Sequence, residues 1–285
     1  MDDVLAALEE WERQGRRFAV GVLIEVEGSS PREVGAILGV REDGLTVGSV
    51  SGGCVEAVVV REALGLLGGE PPRVLEFGPD DPSDPFEVGL TCGGRIRVLV
   101  TTWPGSVEEA RSRERLTWPL PGGGAFEQKW TRPRLVIVGA VHIAVELVPL
   151  ARSLGFETIV IDPRCAFADP ARFPVLPDRL LTEWPAVFLP SLGSAEELFG
   201  VALTHDPKID DPALVHFLKS GARYVGALGG KASREARIDR FRQAGVSDES
   251  LPRLRMPVGL PIGARTPQEI ALSIMAEIVE ARRGG

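Results

Sequence analysis

The chain has 285 residues, 44% of them hydrophobic, which is enough for a proper core in one large or two moderate domains and excludes a disordered protein. A net charge of −8 without a dense basic run argues against a duplex nucleic-acid binder, and no apolar run reaches the length of a membrane span. Three cysteines and an acidic start without a signal peptide fit a reducing cytoplasm rather than a disulfide scaffold. Asparagine is absent, and the only lysines are Lys129, Lys208, Lys219 and Lys231; the first trait belongs to the thermophile pattern and the second opposes its commonest form. A heat-loving or GC-rich source is the reading.

Val4, Leu5, Leu8 and Trp11 fall at helical spacing, with Asp2 or Asp3 available as a cap. Phe18 to Val26 is a β-branched and aliphatic run, a buried strand by composition. Ile37 to Val40 and Leu45 to Val47 flank Asp43-Gly44, a hairpin signal. Gly53 to Leu67 predicts a helix whose start lies at Cys54. Arg73 to Phe77 and Arg95 to Val100 complete a small mixed sheet.

Residues 103 to 132 change character. Pro121-Gly122-Gly123-Gly124, three tryptophans and alternating charges sustain no period, so this stretch predicts an interdomain linker with a short helix at Val107 to Arg115. From Arg134 strands and helices alternate. Arg134 to Val138 is a buried strand, Ile143 to Leu154 a helix containing Pro149, and Thr158 to Ile161 a strand ending in Asp162. Phe199 to Leu203 and Arg223 to Leu228 are strands around a helix at about Pro212 to Ser220. Thr266, Pro267 and Glu269 form a capping box ahead of Ile270, Ile274, Met275 and Ile278. The fold class is therefore α/β: a small N-terminal mixed α/β domain over 1–102, a linker over 103–132, and a Rossmann-like, doubly wound parallel sheet over 133–285.

Three glycine-rich segments stand out in the first hundred residues. They are Gly28-Ser29-Ser30-Pro31-Arg32, Gly48-Ser49-Val50-Ser51-Gly52-Gly53-Cys54-Val55-Glu56, and Thr91-Cys92-Gly93-Gly94-Arg95. Glycines let backbone approach a bulky ligand and present bare N–H groups to it. A thiol beside such a loop can reach a metal or an electrophile, and a helix start favours the thiolate. The bland alternative is a pair of buried structural cysteines. Zinc or an iron–sulfur cluster fits poorly, since no close Cys pair or local His cluster exists. Arg32 and Arg95 are solvated charges on the bland reading and anion clamps on the functional one. Glu56 either caps its helix or touches a ligand.

In the second half, Gly139-Ala140-Val141-His142-Ile143-Ala144 follows a strand, but the second fingerprint position is Val141 rather than glycine. A β-branched side chain there obstructs the approach of a pyrophosphate, so ordinary NAD(P) binding is not expected. Asp162 sits where a ribose-binding acid belongs. His142 and His205, each just after a strand, are either rim residues of a crevice or ordinary turn residues. Gly226 to Lys231 lacks the spacing of a phosphate loop.

These segments resemble the xanthine dehydrogenase accessory protein family (XdhC/CoxI). That family carries Ser-Ser-Pro-Arg, Gly-Ser-x-x-Gly-Gly-Cys-x-Glu and Cys-Gly-Gly segments, then a Rossmann-like domain ending in Pro-x-Gly-Leu-x-Ile-Gly-Ala. The last is present as Pro257 to Ala264, and the match covers nearly the whole chain apart from about 103 to 132. Val141 departs from the family's usual glycine. The resemblance implies a chaperone that binds the molybdenum cofactor transiently, supports its sulfuration and delivers it to a xanthine- or CO-dehydrogenase-type apo-enzyme. It implies Ser30, Arg32, Gly52, Gly53, Cys54, Cys92, Gly93, Gly94 and Arg95 as cofactor-binding residues, with Cys54 touching molybdenum in passing. A nucleotide would fall on Gly139, His142, Asp162 and His205. No catalytic residue is assigned, and the expected partners are the client molybdoenzyme, a cysteine desulfurase-type sulfur donor and a second copy of the chain. An NAD(P)-dependent oxidoreductase using His205 or His142 as acid/base, and a nucleotide-sensing regulator without chemistry, stand as rivals.

Overall fold

The computed structural model describes residues 2–79, 90, 93–111, 115–129, 132–192 and 197–284. The chain divides into two units, Met1–Thr131 and Arg132–Gly285.

The first unit begins with helix α1 (Asp2–Arg13), whose Val4, Leu5, Leu8 and Trp11 are buried as their spacing predicts. Strands β1 (Phe18–Glu27), β2 (Ile37–Arg41), β3 (Thr46–Gly48), β4 (Arg73–Phe77) and β5 (Arg95–Thr101) form one sheet in the order β3-β2-β1-β5-β4. Every pairing in it is antiparallel, which corrects the expected mixed sheet. Side chains alternate across the sheet. Val20, Val22, Ile37 and Leu99 face α1, whereas Ala19, Leu38, Val40, Val98 and Val100 face helix α2 (Glu56–Leu67) through Val55, Val59 and Ala63.

The predicted linker is instead part of this unit's core. Residues 107–111 form helix α3 (Val107–Arg111), and β6 (Arg115–Pro119) pairs with β7 (Ala125–Lys129) in an antiparallel hairpin. Trp103, Val107, Ala110, Leu116 and Trp118 pack with α1, β1 and β5. Trp118 stacks edge-on against Trp103, with ring centroids 5.2 Å apart. Its indole N–H donates to Gln128 Oε1 at 2.8 Å, and Gln128 Nε2 donates to Gly35 O at 2.8 Å. The hairpin thus covers one face of the sheet, and a polar relay joins it to the β1–β2 connection.

The second unit is a parallel sheet of β8 (Arg134–Val138), β9 (Glu157–Ile161), β10 (Arg179–Leu181), β11 (Leu198–Ala202), β12 (Tyr224–Ala227) and β13 (Leu254–Arg255). Their spatial order, β10-β9-β8-β11-β12-β13, is the 3-2-1-4-5-6 arrangement of a doubly wound dinucleotide fold. Leu135 and Ile137 face α4 (His142–Ser153) and α8 (Pro267–Arg283). Val136 and Val138 face α5 (Pro185–Phe188), α6 (Pro207–Ser220) and α7 (Lys231–Gln243). The capping box holds as read: the Thr266 hydroxyl accepts from Glu269 N–H, and the Glu269 carboxylate accepts from Thr266 N–H. α6 starts five residues earlier than expected, because Asp206 caps it at Lys208 N–H and Pro207 fits its first turn. None of the described helices is long and apolar enough to cross a membrane.

Trp118→Ala should destabilise the first unit by about 3–5 kcal/mol, the range for emptying a buried aromatic site. Denaturant unfolding followed in that unit measures it. A change within about 0.5 kcal/mol, as for a surface residue, would return this segment to the status of a linker.

Candidate functional site

The loop ahead of α2 is organised by one carboxylate. Glu56 opens α2, and its side chain turns back into the loop that precedes it. Oε1 accepts from the Ser49 hydroxyl (2.6 Å) and from the N–H groups of Val50 (3.2 Å), Ser51 (2.9 Å) and Gly52 (3.1 Å). Oε2 accepts from the Ser51 hydroxyl (2.5 Å) and the Gly53 N–H (2.9 Å). Val50 and Val55 are buried on either side and anchor the loop to the core. Burial acts to raise the Glu56 pKa, but the Ser49 and Ser51 hydroxyls and the backbone donors outweigh it and bring it down to about 2.

This arrangement corrects the expectation that the Gly-Gly loop offers bare N–H groups. The amides of residues 50–53 point at Glu56, so Glu56 belongs to the loop's scaffold. What the loop presents outward is Gly52, Gly53 and Cys54, all exposed. Cys54 lies two residues before the helix, not at its first turn as predicted, with Val55 as the N-cap.

The structure brings the three glycine segments together. A methyl group on Gly52 would lie 3.5 Å from Pro31 Cγ. A side chain on Gly94 would run into the Ser29 carbonyl oxygen, so only glycine allows these two backbones to meet. Ser30 Oγ accepts from the Arg32 N–H at 3.3 Å, which turns the chain after Pro31. Arg32 and Arg95 each stand one residue beyond such a contact, exposed, and neither forms a side-chain hydrogen bond or ion pair among the described residues. Cys92, and with it the expectation that the two thiols share a pocket, lies outside the described residues. Gly93 is exposed beside it in sequence.

In the second unit, Gly139 sits at the end of β8 against Thr204 at the end of β11, the point where the strand order reverses. A side chain on Gly139 would come within 2.7 Å of Thr204 Cγ2, so this glycine serves strand packing. Val141 caps α4 and packs half-buried against the apolar layer of α4 and α8. His142 and His205 are exposed and follow adjacent strands, so the fold does place both on one rim. His205 holds a left-handed φ of 61°. It is fixed there by Thr204, whose hydroxyl donates to the buried Asp210 at 2.6 Å and accepts from the Asp206 N–H at 3.0 Å. Burial raises the Asp210 pKa, while Thr204 and Arg237 oppose the shift.

Asp162 departs from its expected role. Its carboxylate is buried and takes four hydrogen bonds, from the Ala140 N–H and from the backbone and guanidinium of Arg164. Burial works to raise its pKa, and the Arg164 fork lowers it below the usual range. No oxygen is left for a ribose hydroxyl. Among the described residues no group of three or more His, Cys, Asp or Glu is placed to hold a metal ion.

Residues 135–278 match the XdhC Rossmann domain, and residues 11–78 match the XdhC and CoxI family. The chain belongs to the XdhC and CoxI family. Among its relatives, the molybdenum cofactor insertion chaperone PaoD of Escherichia coli is 28% identical over 94% of this chain and 84% of its own length. A probable xanthine dehydrogenase subunit of Bacillus subtilis is 27% identical, covering 98% and 96%. The uncharacterized protein YqeB of Escherichia coli is 30% identical over 95% of this chain, which spans only 44% of YqeB. A crystal structure of a xanthine dehydrogenase from Bacillus halodurans superposes with a TM-score of 0.75 at 26% identity, covering 98% of this chain and 95% of that one.

Two organising residues of this family member lay outside the expected site set. Glu56 had a signal, an acid in the first turn after a Gly-Gly loop, which is the position that returns to loop amides. Arg164 had one too, two residues beyond the strand-end acid.

Because the Glu56 pKa is depressed in the folded chain, its contribution is complete above the ordinary glutamate range and is lost as pH falls through about 2. Glu56→Gln should therefore cost about 2 kcal/mol at neutral pH, the scale of hydrogen bonds to a charged group. The loss should shrink as pH drops from about 5 to about 2. Chemical denaturation across that range checks it; a pH-independent difference would assign the loop's order to other contacts.

Proposed function

We propose that this chain is a molybdenum cofactor insertion chaperone for a xanthine dehydrogenase-type enzyme, with the cofactor as its cargo. The observation that carries the reading is the meeting of the three glycine segments in the first unit, with the exposed Arg32, Cys54 and Arg95 each within two residues of a contact between them. The name of PaoD supports the chaperone role, and that of the Bacillus subtilis relative supports the enzyme type.

The donor set fits such a cargo in kind. The cofactor is anionic, planar and oxygen-sensitive. Guanidinium forks suit its phosphate, and a soft sulfur suits molybdenum. Because Glu56 occupies the loop amides, the cargo would be held by side chains on the outside of the loop, an arrangement that permits release. Ser30, Gly52, Gly53, Gly93 and Gly94 would shape the patch, with Cys92 as a second thiol. Sulfuration of the cargo would draw on a cysteine desulfurase-type donor, delivery would go to the apo-enzyme of a xanthine- or CO-dehydrogenase type, and the working species would be a homodimer in the cytoplasm. The second unit would then serve structure or docking, without ordinary NAD(P) binding.

Cys54→Ser should lower cofactor content per chain at least about tenfold after purification from a molybdenum-replete host, because serine stays protonated where cysteine offers soft sulfur. Pterin fluorescence after oxidation and metal analysis measure content, and the unfolding midpoint is followed alongside. Undiminished cofactor in a normally folded variant would remove Cys54 from the site. Calorimetric titration with NAD and NADP should show no micromolar binding. Saturation in that range would mean that the loop accommodates pyrophosphate despite Val141 and the engaged Asp162.

A further inference from the structure

A second candidate binding place lies wholly within the second unit, on the β12–β13 side of the sheet and away from the β8–β11 switch point. Its centre is Glu277 on α8, only 8% exposed. Oε2 of Glu277 accepts the Tyr224 phenol at 2.5 Å and the Gly259 N–H at 2.8 Å. Oε1 takes no hydrogen bond from the described residues. This oxygen is not one of the fully buried side-chain atoms, so it opens toward solvent and can take a donor there.

The side chain lines a cleft of about 500 Å³ together with Arg234, Glu235, Leu254, Arg255 and Met256. The cleft is open to solvent and mostly polar in its lining, which suits a small polar ligand. Arg255 is exposed and makes no side-chain hydrogen bond or ion pair among the described residues. Arg234 gives one long bond to the Leu254 carbonyl at 3.5 Å. Tyr224 is held neutral by burial and by the Glu277 charge, so it remains a donor that fixes the carboxylate.

The two arginines favour an oxyanion, while Glu277 and Glu235 disfavour a bare one. A ligand that satisfies both carries an oxyanion for the guanidiniums and an N–H or O–H donor for Oε1. We propose that this cleft binds a small metabolite bearing a phosphate or carboxylate together with such a donor, the oxyanion on Arg234 and Arg255 and the donor on Glu277. The proposal stands apart from the role of the first unit.

The test is calorimetric titration of the full chain with three probes: GMP for the phosphate source, L-glutamate for the carboxylate source, and inorganic phosphate as an oxyanion with no organic donor group. GMP or L-glutamate should saturate at about 1 mM or tighter and bind about tenfold better than inorganic phosphate. The probe that binds identifies the oxyanion. Arg255→Met, a change at an exposed side chain, should weaken it about tenfold. Glu277→Gln, which keeps an acceptor for Tyr224 but turns an amide donor into the cleft, should weaken the organic probe and spare inorganic phosphate. Lack of saturation by both organic probes at about 10 mM, or binding unchanged by Arg255→Met, overturns the proposal.

Discussion

The contact on which the candidate site depends is the Glu56 carboxylate inside its own loop. Four consecutive amides, Val50 to Gly53, converge on it, and two serine hydroxyls complete the shell. Such a run of N–H groups is an anion nest, and here the anion is supplied by the chain. Filling the nest from within fixes the loop before any ligand arrives. It also settles which way the loop's polar groups face. Pro31 lies beside Gly52 of this loop, while Ser29 meets Gly94 just beyond the pairing of β1 with β5.

In the second unit β8, β9, β11 and β12 were legible to within about two residues because they are continuous apolar runs, and the last helix because it carries a complete capping box, whereas β10, β13, α5 and α7 were not read. Buried parallel strands leave little room for another reading. The 103–132 segment was misread for a physical reason. Its β6 strand buries only Leu116 and Trp118, alternating with exposed Arg115, Thr117 and Pro119. Five residues of period two, followed by a glycine-rich turn, carry the signature of a hairpin. The surrounding glycines and prolines hide it from any longer window.

Candidate residues were readable as types, but the destinations of their hydrogen bonds were not. Asp162 stands at the end of β9, where a ribose acid belongs, and strand position alone cannot show that Arg164 closes a fork over it. Likewise, Thr204, Asp206 and Asp210 read as a turn and a cap. Their joint effect, holding His205 at positive φ, arises from a buried carboxylate six residues beyond the threonine it holds. Contacts made by turning back along the chain have no fixed sequence period, so pattern reading passes over them.

The two units share one solution. In each, a glycine-containing loop of the kind that usually offers backbone donors to a ligand has a carboxylate of the chain on those donors: Glu56 on residues 50–53, and Asp162 on the Ala140 amide. What remains exposed beside either loop is therefore side chains, Arg32, Arg95 and Cys54 in one unit and His142 and His205 in the other. Backbone nests grip through fixed, converging dipoles, whereas long side chains must be ordered at an entropic cost on binding. Recognition by side chains thus gives weaker, more readily reversed capture for the same charge. That balance is what the proposed role, holding a cargo and then yielding it, would require, and it follows from where two internal carboxylates lie rather than from any special feature of the residues that face outward.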